Sequence, residues 1–179
     1  MVEFEGSFVT EWGAYQSPPS MVLGFHGTQK LTVDEVVNQR VRHLSSSKQI
    51  YDWLGHGVYF WENDPMRALE WANEKLKPNP DVVGGVINLG FCLDLTTRTG
   101  CNAVAEAYQE LQRTFRASQK QLPNNTIGKD KLRRELDCLV IMYLHKYRQM
   151  AGLPPYDSVR AAFPESDPLY PDAGFSAKG

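Results

Sequence analysis

The sequence is poor in cysteine, in long apolar runs and in net charge. The three cysteines, Cys92, Cys101 and Cys138, show no CxxC spacing, which is typical of reduced thiols rather than of a disulfide framework or a zinc site. No stretch approaches the roughly 18 consecutive apolar residues of a membrane-spanning helix, and the acidic N-terminal stretch is unlike a signal peptide. A formal net charge of −2 gives no global reason to bind nucleic acid or an acidic membrane. These absences predict a cytoplasmic protein without a metal site or a membrane partner.

The chain has the size and composition of one ordinary globular domain, with 179 residues of which 42% are apolar. Asp64 and Pro65 are a helix-start signal, as N-cap and first helical residue. The patterns predict helices over 31–40, 63–76, 102–120 and 130–152, and strands over 21–28, 58–62, 82–96 (one long or two short) and 159–163. This order favours an α+β fold with a split, bent, mostly antiparallel sheet and flanking helices, in a single domain over residues 1–179.

The motif "FHGT" at residues 25–28 is the first candidate for chemistry. His26 ends an apolar run, where its imidazole can donate or accept a hydrogen bond. Gly27 follows at once, and a glycine lets a ligand approach the backbone closely. The simpler alternative is a core histidine followed by a turn glycine.

The stretch "WLGHGVYFWE" at residues 53–62 crowds aromatic rings beside two glycines. Tyr59 offers a flat apolar face with a polar tip, which suits a planar ligand. Trp71 lies twelve residues further on, in the next predicted helix. Taken singly, both rings are explained equally well by packing in the core.

The ordered pair "HGT" and "GHGVYF", followed by a helix with an aromatic residue, resembles ADP-ribosyltransferases of the diphtheria-toxin and poly(ADP-ribose)-polymerase type. The resemblance covers about residues 21–96. The sequence also resembles a group of bacterial and phage proteins with that fold. The positions that match the motifs are His26, Gly27, Gly55, Gly57, Tyr59 and Phe60. It implies transfer of ADP-ribose from NAD to a protein or nucleic-acid acceptor, as a toxin or phage-conflict effector with a possible antitoxin or inhibitor partner.

The resemblance also implies a role for each matched residue. His26 would bind the adenine-side ribose, Gly27 the nicotinamide amide through its backbone, and Tyr59 would stack on the nicotinamide ring. Trp71 would close the sandwich from the helix. Thr28, Gly57 and Phe60 are assigned to the same NAD site.

The third catalytic residue departs from the family pattern. In the family a polar or acidic residue on a late strand orients the ribose, and we expect the last C-terminal strand or strands of that fold to be missing from this chain. Glu165 is the candidate carboxylate, with Glu62 as a lesser choice. Arg160 could meet a pyrophosphate or pair with a carboxylate.

Two other classes of function stay open at this point. One is a catalytically inactive NAD-binding or protein-interaction module, and the other is a structural protein with an aromatic core. The sequence lacks the signatures of P-loop kinases, Rossmann dehydrogenases, zincins and serine hydrolases. It leaves the acceptor open, as well as the choice between mono- and poly-ADP-ribose.

Overall fold

Two small sheets and four helices make up the part of the chain that the structure describes. The structure is a computed structural model and describes residues 21–125, 133–163 and 170–172. The elements are β1 (Met21–Gln29), α1 (Lys30–Val37), β2 (Trp61–Glu62), α2 (Pro65–Lys75), β3 (Pro80–Asn88), β4 (Cys92–Asp94), α3 (Arg98–Ala117), α4 (Glu135–Met150) and β5 (Ser158–Arg160). The predicted α+β class is confirmed. None of the helices in these ranges has the length and apolar character needed to cross a bilayer.

The first sheet is antiparallel, with strand order β2-β1-β3. Helix α2 covers one of its faces through Ala68 and Ala72, both completely buried. A Cβ on Gly27 would lie 2.3 Å from the Ala68 carbonyl oxygen, so the glycine allows this close approach. Asp64 caps the helix as predicted, since its side chain accepts a hydrogen bond from the Arg67 amide, and Pro65 is the first helical residue.

The second sheet pairs β4 with β5 in parallel and carries the main hydrophobic core. Helix α3 packs against β4, helix α4 packs against α3, and the apolar faces of both helices form one cluster with Leu93 of β4. The buried core residues are Leu93, Ala107, Leu111, Val140, Ile141 and Leu144. Helix α3 buries Leu111 in this cluster and packs Val104, Tyr108 and Phe115 against it.

Several predicted boundaries are wrong. The strand expected over 58–62 is reduced to the two residues of β2. Helix α3 begins four residues early, because the Thr97 side chain accepts a hydrogen bond from the Gly100 amide and caps it. Helix α4 begins at Glu135, while residues 130–132 lie outside the described ranges. The 82–96 segment forms two strands, with Gly90 in a left-handed conformation (φ +58°) between them.

Candidate functional site

A cleft of about 440 Å³ opens where residues of the two sheets face each other. This volume is within the range of small-molecule sites in proteins. The lining residues are Val22, Gly24, Leu54–Phe60, Glu62, Ile87–Leu89, His145 and Tyr156–Arg160. The cleft therefore combines β1, β2 and the end of β3 on one side with α4 and β5 on the other, and the aromatic stretch lies between them.

The loop before Tyr59 is fixed by its own hydrogen bonds and by contact with α4. Ser47 and Gly57 form an antiparallel bridge through their backbones, with N–O distances of 2.7 and 3.2 Å. The Asp52 carboxylate accepts hydrogen bonds from the Ser47 hydroxyl and the Gln49 amide. Gly55 adopts φ +80°, and a Cβ there would lie 3.0 Å from Ile141. The loop is thus held in one conformation at the edge of the cleft.

Tyr59 lines the cleft with its hydroxyl tied down. The hydroxyl donates to the Gly55 carbonyl at 2.6 Å and accepts from the Leu54 amide at 2.9 Å. Burial raises the pKa of Tyr59 well above the usual value of a phenol, so its hydroxyl stays protonated. The ring can therefore stack on a ligand, whereas the hydroxyl is suited to anchoring the loop and not to proton transfer.

His26 lies directly beside this stretch. Its Nδ1–H donates to the Tyr59 carbonyl oxygen at 2.8 Å. The imidazole also lies 5.7 Å from the Phe60 ring, centroid to centroid. His26 is not among the cleft-lining residues. Val22 and Gly24 do line the cleft, and strand alternation places His26 on the same face of β1 as these two residues. The structure therefore brings the two predicted motifs together.

Gly27 and Thr28 are buried and are not among the residues that line the cleft. The Leu23 carbonyl accepts a hydrogen bond from Asn63 on the β2 side of β1. Backbone groups alternate along an antiparallel strand, so the N–H and C=O of Gly27 point to that same side. Pairing with β2 stops at Phe25, which leaves this edge of Gly27 beyond the end of the ladder.

Trp71 does not reach the cleft. It lies on α2, and its ring packs against Trp61 at a centroid distance of 5.7 Å. Gly27 faces α2, whereas Gly24 lines the cleft, so helix and cleft are on opposite faces of the first sheet. The second aromatic ring beside Tyr59 in the cleft is that of Phe60, which is 39% exposed.

Arg160 of β5 connects the two sheets through carboxylates. Its guanidinium binds Glu62 of β2 in a two-pronged pair at 2.8 and 3.0 Å, and Asp94 of β4 at 3.2 Å. Hydrogen bonds and charge from these partners raise the pKa of Arg160. Burial alone would raise the pKa of Asp94, but the hydrogen bonds from Thr96 and the charge of Arg160 outweigh it and lower that pKa. Of the two partners proposed for Arg160, the structure shows the carboxylate.

The predicted catalytic acid Glu165 lies outside the described residues, so its catalytic role stays a prediction. Asp94 is not among the site residues predicted from the sequence. Its spacing to Thr96 is a local signal, because a short acidic side chain two residues before a threonine favours a side-chain turn. The Asp94 carboxylate indeed accepts from both the Thr96 amide and hydroxyl.

An aromatic group at the α4 side of the cleft was also missed. Phe91 and Tyr156 stack at 4.7 Å, and the Arg148 guanidinium lies 4.4 Å from the Tyr156 ring centroid. The His145 ring contacts the Tyr156 ring edge to face. The pKa of His145 is lowered, mainly by burial and to a smaller extent by the nearby charge of Arg148. These residues come from three separate segments, which no local motif connects.

Comparison with protein-family models, with curated proteins and with solved structures found no match.

Proposed function

We propose that this chain is an ADP-ribosyltransferase that binds NAD in the cleft and transfers ADP-ribose to a macromolecular acceptor. The observation that carries the proposal is the 2.8 Å hydrogen bond from His26 to the Tyr59 backbone. It joins the two motifs on which the resemblance depends, although they are 33 residues apart in the sequence.

The chemistry of the cleft suits the nicotinamide end of NAD. A pyridine ring can stack on Tyr59, with Phe60 as the second aromatic surface in place of Trp71. A carboxamide carries one acceptor and one donor group, and the free edge of Gly27 offers one of each from its backbone. The Nε2 of His26 can accept a hydrogen bond from a ribose hydroxyl. Because Gly27 is buried, the Tyr59–Phe60 segment has to shift slightly for the amide to reach it.

The reaction consists of substitution at the ribose carbon attached to nicotinamide. The bond between that carbon and the pyridinium nitrogen breaks, and its electron pair leaves with neutral nicotinamide. The ribose carbon gains oxocarbenium character, as in glycoside cleavage. An acceptor oxygen or nitrogen then bonds to this carbon and loses its proton to solvent. Fixed stacking and hydrogen bonds on the leaving group help by holding the reactants in position.

Calorimetric titration with NAD and with nicotinamide tests the binding step. We expect Tyr59→Ala to abolish binding, because it removes the ring that stacks on nicotinamide. Tyr147→Ala is the matched control, since Tyr147 is a 51% exposed tyrosine on α4 outside the cleft lining. Equal affinities for NAD in the two variants would contradict the proposed site.

Incubation with labelled NAD and cell extract tests the transfer step. We expect label on protein or nucleic acid with the wild-type chain and none with Tyr59→Ala. The further proposal of a toxin role depends on the resemblance alone. It predicts that expression of the wild-type chain slows bacterial growth and that Tyr59→Ala relieves the effect.

An inactive NAD-binding module is the second candidate, and one observation favours it. Both carboxylates that line the cleft already have partners, Glu62 in the Arg160 pair and Asp157 on the Phe91 amide. NAD binding without any release of nicotinamide would support this module over the enzyme.

A further inference from the structure

We propose that Glu62 is the carboxylate that stabilises the ribosyl cation in the reaction, and that Arg160 and Asp94 are positioning residues that hold it. This inference rests on the proposed function and gives it a third catalytic residue from within the described chain.

Glu62 has the location that this role requires. It lines the cleft three residues after Tyr59, and its pairing with Gly24 puts it on the same face of the first sheet as that glycine, which also lines the cleft. The side chain is 32% exposed, so a ligand can reach it. The other cleft carboxylate, Asp157, is less suitable because it caps the Phe91 amide and packs beneath Gly90.

The Arg160 pair fixes Glu62 without using all of its hydrogen-bonding capacity. Each carboxylate oxygen accepts one prong of the guanidinium, and each has a further lone pair that could accept from a ribose hydroxyl. Asp94 holds the opposite side of Arg160 and is itself held by Thr96. The three residues therefore form a chain of contacts from the buried end of β4 to the cleft surface.

The charge of this cluster favours a cation over a phosphate. Glu62 and Asp94 each carry one negative charge and Arg160 carries one positive charge, so the cluster has a net charge of −1. A pyrophosphate at Arg160 would meet two carboxylates that already occupy the guanidinium, whereas a ribose carbon with developing positive charge would be stabilised. A purely stabilising role explains this cluster less well, because partly exposed ion pairs contribute little to the free energy of unfolding.

The test compares NAD affinity with the single-turnover rate of nicotinamide release. We expect Glu62→Gln to bind NAD within about threefold of the wild-type affinity and to release nicotinamide about 100-fold more slowly, as when one electrostatic contact to a transition state is removed. Glu74→Gln is the matched control, because it makes the same chemical change on the exposed face of α2. We expect its rate to equal that of the wild type.

Arg160→Lys tests the positioning role, since it keeps the charge and loses the two-pronged geometry. We expect kcat to fall about tenfold with KM nearly unchanged and no matching loss of thermal stability. A variant that unfolds more easily, yet reacts normally when folded, would make Arg160 a structural clamp only and would overturn its positioning role.

The outcomes separate this inference from the proposed function. A wild-type chain that neither binds NAD nor releases nicotinamide overturns both. An active wild type whose Glu62→Gln variant keeps its rate overturns the inference alone. NAD binding without any nicotinamide release overturns the inference together with the enzymatic activity, and leaves the inactive NAD-binding module. Tighter NAD binding by Glu62→Gln together with weaker binding by Arg160→Lys would assign Arg160 to phosphate and also overturn it.

Discussion

The substitution Gly27→Ala tests how closely helix α2 packs on the strand that carries the first motif. The added methyl group would lie 2.3 Å from the Ala68 carbonyl oxygen and 3.2 Å from the Ala72 Cβ. The first contact is with helix backbone, which cannot rotate away as a flexible side chain can. The helix would therefore have to retreat by about 0.7 Å to restore a separation of 3.0 Å.

The expected cost follows from two opposing effects. Overpacking of a well-filled interior costs about 3 kcal/mol at the upper end of its usual range. Replacing glycine by alanine in a strand returns up to about 1 kcal/mol, because the unfolded chain loses freedom. The net expectation is a loss of about 2 kcal/mol in the free energy of unfolding. For a chain of this length that corresponds to a decrease of about 4–8 °C in Tm.

Urea denaturation followed by tryptophan fluorescence measures this loss, and Trp61 and Trp71 report directly on the contact between the first sheet and α2. Gly85→Ala is the control in the same sheet, because a Cβ at Gly85 would have no heavy atom within 4 Å. We expect this control to be neutral within about 0.5 kcal/mol. Equal stabilities for the two variants would refute the described packing, and with it the orientation assigned to the Gly27 backbone.

Three further substitutions probe the loop and the charged cluster. Tyr59→Phe should lower the free energy of unfolding in urea by about 2 kcal/mol, because the Leu54 amide and the Gly55 carbonyl lose their partner. The difference between the absorbance titrations of the wild type and this variant should show no phenolate forming near pH 10. Gly55→Ala should cost at least about 1–2 kcal/mol, since φ is +80° there; an unchanged urea midpoint would contradict the loop conformation. The lowered pKa of Asp94 contributes stability above its unfolded pKa of about 3.9, which is lost as the pH falls through the folded value. The free energy of unfolding of Asp94→Asn should therefore fall less steeply in acid than that of the wild type. Parallel curves of this free energy against pH for the two proteins would contradict the prediction.

The sequence was most informative where a local rule decides the structure. The helix starting at Pro65 could be predicted because an N-cap aspartate and a first-turn proline act within a few residues. The position of α3 was predicted less well, because Gly100 near its start argues against a helix. The tertiary contact explains the glycine, since a Cβ there would lie 2.0 Å from the Asp94 carbonyl oxygen. Packing against β4 thus outweighs the low helix propensity of glycine.

The short second strand shows why pairing across the chain is harder to predict than local structure. Residues 58–62 have strand-like composition, yet only Trp61 and Glu62 join the sheet. One step further along an antiparallel ladder, the Tyr59 carbonyl would accept from the Gly27 amide. The His26 side chain donates to that carbonyl, and the ladder ends at Phe25, before it reaches Gly27. This contact comes from a side chain 33 positions away, and strand propensity alone does not include it.

The charged cluster of the cleft was accessible to sequence reasoning only in part. Glu62 and Arg160 were each noticed as candidates, but they are 98 residues apart and nothing local indicates that they meet. Their contact depends on the parallel pairing of β4 with β5, which sets Asp94 opposite Arg160 and directs the guanidinium toward β2. Three apolar side chains at these positions could join the sheets without the cost of desolvating the buried Asp94 carboxylate. These ionised groups lie where β2 and β5 both line the cleft, which is the arrangement that the role proposed for Glu62 requires.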